Sequence, residues 1–449
     1  MVEKILVPKI DIYSLTYSDK SLEVKKEWNE DFDIDNFLHF PLLVNSDGSL
    51  WKDGNLYLLS KLKHYKKPSP KTLDSIATDL KAFKIFCVKQ KIDYLSAHRK
   101  ITRPTYLYRS YLQELLNTGQ ISTSVLKRRI TTVVGFYKYL INIEGVKFKF
   151  QLWEHGISSV VYSDRFGQRQ SKIVETTDIT RIPQTKTQIL SDDAIIDGGK
   201  LHPLTKEEQI ELINALKEIG NTEMTLAFLI ALVTGARIQT VFTLRLKHFY
   251  KIPNKDDKII NIKVGAGTSC DTKYMKQHIL VFPFWLYNQI KIYLTSPRAL
   301  KRREKAKHIF EINDQQYVFL NNRGIPFYVG SDDLYRRLYR EVPNGNAVRQ
   351  FISKTLIKKL KNNGLHLDFS FHDLRATFGM NLFDKLSKKS LGNDGNSLDR
   401  ILIEIKERMG HSSLNTTEGY LNFRKRHKIK ELSQDDYEDF IWKLVHESA

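Results

Sequence analysis

The stretch LTKEEQIELINALKEIGNTEMTLAFLIALVTGAR, residues 204–237, decides how the second half of the chain folds. Thr205 and Glu208 have the spacing of a capping box, in which each side chain satisfies the other residue's backbone N–H, and Leu204 is placed for a hydrophobic staple. Ile210, Leu212, Ile213, Leu216 and Ile219 then fall on one face of a helix, which Gly220 ends. Met224 to Val233 reads as a second, strongly apolar helix, broken at Gly235. A new domain therefore opens here. Downstream, Lys258 to Val264 and Gln277 to Phe282 alternate as strands do, with turn-forming Gly265, Gly267 and Asp271 between them. From Trp285 onward the pattern is mostly helical.

Upstream, residues 155–200 lose periodicity and are rich in Ser, Thr, Asp, Arg and Gln, the composition of a linker, although that length is unusual for a plain one. Residues 66–154 read as helical. Lys66-Lys67-Pro68-Ser69-Pro70 is a stop signal. Thr72 then opens a face of Leu73, Ile76, Leu80, Phe83 and Phe86. Tyr106 to Leu116 and Val125 to Ile143 repeat the pattern. The last of these carries Lys127, Arg128 and Arg129, which read more readily as a solvated face than as a DNA contact. Residues 1–65 alternate short apolar runs with turns such as Asn45-Ser46-Asp47-Gly48, as an extra module or extended arm of unknown function would.

The bulk numbers bound the class. Length alone allows two or three domains at roughly 150 residues each. Lys plus Arg number 71 against 51 Asp plus Glu, a net charge of +20. That excess suits a polyanion such as nucleic acid or an anionic membrane surface. Two cysteines, Cys87 and Cys270, can form neither a disulfide framework nor a four-cysteine zinc site. Met1 to Ile10 carries charges at Glu3, Lys4 and Lys9 and lacks the apolar core of a secretory signal. The longest apolar run, Leu226 to Val233, falls short of the roughly 20 residues that span a bilayer. A soluble, cytoplasmic protein without membrane contact is expected.

Four segments carry chemistry: Thr234-Gly235-Ala236-Arg237 at the break after the apolar helix, Asp271-Thr272-Lys273 in the hairpin, Phe371-His372-Asp373-Leu374-Arg375 opening a helix, and Met409-Gly410-His411-Ser412-Ser413 with Tyr420 nine residues after His411. Breaking a phosphodiester without a metal needs a nucleophile, preorganised donors for the nonbridging oxygens and a proton for the leaving oxygen. Arg237 and Arg375 suit the oxygens, since a guanidinium fork can bind two at once and stays charged. Lys273 suits the general acid. His372 and Arg375 are one helical step apart and share a face. His372 can accept the phenol proton or bond the phosphate, and His411 can donate to the developing charge. Tyr420 is then the nucleophile, its free pKa of about 10 pulled toward the phenolate by nearby cations. Each residue alone has an ordinary structural use, and Tyr420 is one of 21 tyrosines. Their order along the chain carries the reading.

These residues strongly resemble those of the tyrosine recombinases, the phage-integrase family, over about residues 204–425 and more weakly over 66–150, where the helices look like the family's core-binding domain. The resemblance implies a mainly α fold with a small β-hairpin sheet. It implies a two-domain clamp on double-stranded DNA, with a catalytic domain over 201–449. It places Arg237 at the first catalytic arginine, Lys273 at the hairpin lysine, His372 and Arg375 in the His-x-x-Arg motif, His411 at the second histidine and Tyr420 at the nucleophile. The implied reaction is site-specific cutting and rejoining through a 3′-phosphotyrosine, with no cofactor or metal, by a homotetramer assembled on DNA that integrates or excises a mobile element. A type IB topoisomerase would use similar residues, and a recombinase-derived DNA-binding protein would have lost the chemistry. Where the family commonly has an acidic residue three after its first arginine, this chain has Thr240, so the orientation of Arg237 must rely on something else. Lys276 is the alternative to Lys273. Lys385 to Asp399 reads as a longer loop than the family usually has. Arg298 to Lys307 suits either phosphate contact or an exposed helix face. The basic segment Arg424 to Lys430 follows the tyrosine, and Asp436 to Val445 reads as an amphipathic C-terminal helix that docks on its own domain or on a neighbouring subunit.

Overall fold

The computed structural model describes every residue except 1, 19–20, 64–67, 97–98, 100, 164–168, 182–193, 198, 255–256, 308–312, 332, 340, 391–396, 412, 427–437, 439–441 and 443–449. The chain forms two units, Met1–Thr185 and Lys186–Ala449. It is mainly helical, with two-stranded antiparallel sheets.

In the first unit, Ser69 caps the helix Pro70–Lys89 by accepting from the Thr72 N–H at 3.2 Å, and proline stands in the first turn, where its missing N–H costs nothing. Leu73, Leu80, Phe83 and Phe86 are buried on one face of it. The helices Pro104–Asn117 and Thr123–Asn142 close over that face. Part of the N-terminal module packs on these helices. The strand Asn36–Val44, antiparallel to Glu3–Asp11, packs against the helix Pro70–Lys89. Phe40, Leu43, Trp51, Tyr57 and Leu58 share the helices' core.

Lys127 and Arg128 are exposed, as a solvated face requires. Arg128 forks onto the fully buried Asp79 with two bonds of 2.9 Å. A buried carboxylate is tolerated only when paired and hydrogen-bonded, so this arginine serves the core.

The expected linker carries structure. His155–Ser163 pairs with Arg169–Thr177 as a ribbon. Ile195–Ile196 pairs with Lys200–Leu201 as a short hairpin that belongs to the second unit.

In the second unit the Thr205 and Glu208 box is present in both directions, the Thr205 N–H donating to the Glu208 carboxylate at 2.8 Å. Gly220 ends the helix Lys206–Ile219 in the left-handed region. The apolar helix Thr222–Thr234 lies in the centre of a core with Phe242, Ile262, Leu280 and Tyr287. The hairpin Ile259–Val264 with His278–Pro283 pairs Val264 with His278. In the basic run Arg298 to Lys307, Arg298 is exposed and Arg302 partly so. Both grip the fully buried Glu223, at 2.8 and 3.0 Å. Three further helices, Asp373–Ser390, Ser397–Met409 and 414–426, enclose a second apolar cluster that contains Tyr420. The glycine-rich part of the expected long loop, 391–396, and all but residues 438 and 442 of the expected C-terminal helix lie outside the described residues. Among the described residues no helix is long and apolar enough to cross a membrane.

Candidate active site

Gly235 closes the apolar helix with φ of 69°, and a Cβ there would meet the Phe378 ring, so the sharp turn requires glycine. The turn delivers Arg237 to the start of the next short helix, Ile238–Phe242. Arg375 approaches from the first turn of Asp373–Ser390 and is almost wholly buried. Its two terminal nitrogens donate to the carbonyls of Gly235 at 2.7 Å and Met409 at 2.6 Å. The fork is therefore fixed between the two motifs that supply Arg237 and His411.

His411 follows Gly410, whose φ of 62° ends the helix Ser397–Met409. Its Nδ1 lies 2.9 Å from the Thr417 hydroxyl. Burial pushes the His411 pKa down despite the carboxylate it faces. It is neutral near pH 7. With Thr417 donating to Nδ1, the ring carries its proton on Nε2; this tautomer is inferred from the hydrogen-bond network. His372 is also pushed down by burial.

All four groups meet at one residue that the sequence reading passed over. Asp197, at the tip of the Ile195–Leu201 hairpin, is nearly buried. Its carboxylate accepts from Arg237 at 3.3 Å, from the Arg375 Nε at 2.8 Å and from the His411 Nε2 at 3.1 Å. Its backbone carbonyl lies 3.0 Å from the His372 Nε2. The strand after it is anchored to the Arg375 helix, with the His202 N–H donating to Asp373 at 2.8 Å and the Leu204 N–H to Thr377 at 2.9 Å. Burial alone would raise the Asp197 pKa. The His411 hydrogen bond and the Arg375 charge outweigh burial and hold it far below the usual carboxylate range, so the group is ionised. No motif spacing marks Asp197; in the sequence it is one of several acids in an aperiodic stretch, with Asp192 and Asp193 just upstream.

Tyr420 joins this cluster in the same chain. It lies on the helix 414–426, fully buried, with Met409 beside it and Gly379 leaving room for its ring. The His411 and Tyr420 ring centroids are 5.9 Å apart. Burial pushes the phenol well above its ordinary pKa and the Asp197 charge adds to this, while Arg375 and Arg237 oppose it. Its hydroxyl is sealed from solvent and makes no hydrogen bond of good geometry among the described residues.

Lys273 is not brought to the cluster. It is exposed, with its ammonium 5.5 Å from the Tyr274 ring centroid. Tyr274 and Met275 both take left-handed backbone angles, at φ of 61° and 53°, and this turn separates the two lysines. Lys276 is the one that reaches in, donating to the His411 carbonyl at 2.8 Å and the Gly410 carbonyl at 3.3 Å. Burial lowers its pKa, and Lys406 and Arg237 lower it further. Thr240 is buried and makes no ion pair with Arg237; Asp197 does.

Among solved structures the chain is similar to the Tn1549 transposon integrase in complex with transposon right-end DNA, at 15% identity over 85% of this chain and 99% of that one, with a TM-score of 0.45. It is similar to the same integrase with a circular intermediate DNA, at 15% identity over 82% and 94%, with a TM-score of 0.47. It is also similar to a lambda integrase dimer bound to a core site, at 14% identity over 83% and 94%, with a TM-score of 0.44. A comparison with curated proteins finds no match. The model of the Phage integrase family matches residues 203–427, which bears out the resemblance read from the motifs and contains all six residues singled out by them. That match spans just over half of the 449 residues, and the chain belongs to the phage integrase family, the tyrosine recombinases.

Proposed function

We propose that this chain breaks and rejoins DNA strands through a covalent bond between Tyr420 and a backbone phosphate, as a recombinase that integrates or excises a mobile element. One observation carries the reading. Two guanidinium groups and the His411 imidazole, from distant stretches of chain, converge on a single anionic group, the Asp197 carboxylate, with His372 on the Asp197 backbone carbonyl and the Tyr420 phenol buried beside His411.

A phosphodiester bound there would have its nonbridging oxygens gripped by Arg237 and Arg375, with His411 donating through Nε2. The Tyr420 oxygen attacks phosphorus and forms the P–O bond, its proton passing to His372. The bond to the 5′ oxygen breaks, and Lys276 supplies that oxygen's proton. The phosphotyrosine keeps the bond energy, so the 5′ hydroxyl of a second strand can reverse the step without ATP. The net charge of +20 suits a DNA partner. Assembly as a homotetramer on two DNA sites is part of the proposal.

The test uses nicked suicide duplexes spanning the DNA that flanks the chain's own gene. Wild type should form a covalent protein–DNA adduct and Tyr420→Phe none. An adduct retained in Tyr420→Phe, or absent from wild type on every flanking duplex, would overturn the reading.

A further inference from the structure

We propose that the Asp197 hairpin is an internal plug of the phosphate seat, which keeps the DNA-free protein inactive until a phosphate displaces its carboxylate. This rests on the strand-breaking reading above and adds a regulatory step to it.

The plug uses the donors that a phosphodiester needs. Arg237, Arg375 and His411 all point their N–H groups at the Asp197 carboxylate, and the His372 Nε2 meets the Asp197 carbonyl. Carboxylate and phosphodiester each carry one negative charge and accept from guanidinium forks in the same way. The two cannot occupy the seat together. Exchange of one for the other leaves every donor satisfied, so the swap avoids stranding buried charge.

The plug also acts on the nucleophile. Ile195, at the start of the hairpin, belongs to the same apolar cluster as Tyr420. While Asp197 is seated, its charge opposes formation of the phenolate. Withdrawal of the turn removes that opposition. The hairpin is held by little pairing of its own: its strands have two residues each, and Ile196 is mostly exposed.

The experiment uses the full chain and inorganic phosphate as probe. Calorimetric titration should show Asp197→Asn binding phosphate roughly tenfold tighter than wild type, because the competing internal anion is gone. Asp197→Asn should also form the suicide adduct faster than wild type. A second measurement needs no variant. Saturating phosphate should speed amide hydrogen exchange across 195–201 in the wild-type chain. Phosphate affinity unchanged in Asp197→Asn, loss of its adduct, or exchange that phosphate does not alter would each overturn the plug and leave Asp197 as a support for the arginines. A wild type that forms no adduct, while both phosphate results hold, would contradict the strand-breaking reading alone and leave the plug supported.

Discussion

Arg375 holds its neighbours as firmly as they hold it. Of the five N–H donors of a guanidinium, two fix the carbonyls of Gly235 and Met409, so the fork is oriented before any ligand arrives. Preorganisation of this kind is what makes charge stabilisation effective in a transition state. At the same scale the two hairpin lysines can be told apart. Lys276→Ala should slow adduct formation on an ordinary suicide duplex by roughly a hundredfold or more. The defect should largely vanish when the leaving 5′ oxygen is replaced by sulfur, because a thiolate departs without a proton. Lys273→Ala should behave much like wild type on both substrates. The opposite pattern would return the general-acid role to Lys273. Spacing in the sequence left this pair open, because the turn between them depends on left-handed angles at Tyr274 and Met275, and neither residue type announces such angles.

Among the elements, the helix Asp373–Ser390 carries the most consequence. His372 stands just before it and Arg375 in its first turn, and Gly379 one turn on leaves room for the Tyr420 ring. In an ordinary helix interior, Gly→Ala stabilises by about 1 kcal/mol. At Gly379 the new Cβ would press on the Tyr420 ring and come within 2.9 Å of the Met409 sulfur. Gly379→Ala should therefore lower the melting temperature and reduce adduct formation together; a more stable variant would show that the ring does not need this gap. Elements with local signals were readable in advance. The Thr205 and Glu208 box, the Gly220 stop and the Leu73 to Phe86 face all act within a few residues. Asp197 was not readable, because its partners Arg237, Arg375 and His411 lie 40, 178 and 214 residues away in sequence. The acid partners of the basic clusters were hidden for the same reason. Arg128 answers a buried carboxylate 49 residues away and Arg298 one 75 residues away, and no spacing rule reveals such partners.

For the whole molecule, each unit has its own apolar core and its own buried acid held by arginine. Replacing either acid strips its arginines of their partner and leaves space in the core. Asp79→Ala and Glu223→Ala should therefore depress different unfolding transitions in calorimetry of the full chain. A single transition shifted by both would mean that the units melt together. The central claim remains the convergence of Arg237, Arg375, His411 and Tyr420 on one phosphate. Its most direct test is to trap the covalent adduct on a nicked suicide duplex, digest it and locate the attached nucleotide by mass spectrometry. The account predicts a nucleotide on the peptide carrying Tyr420, linked through its phenolic oxygen. Attachment to any other residue would contradict it.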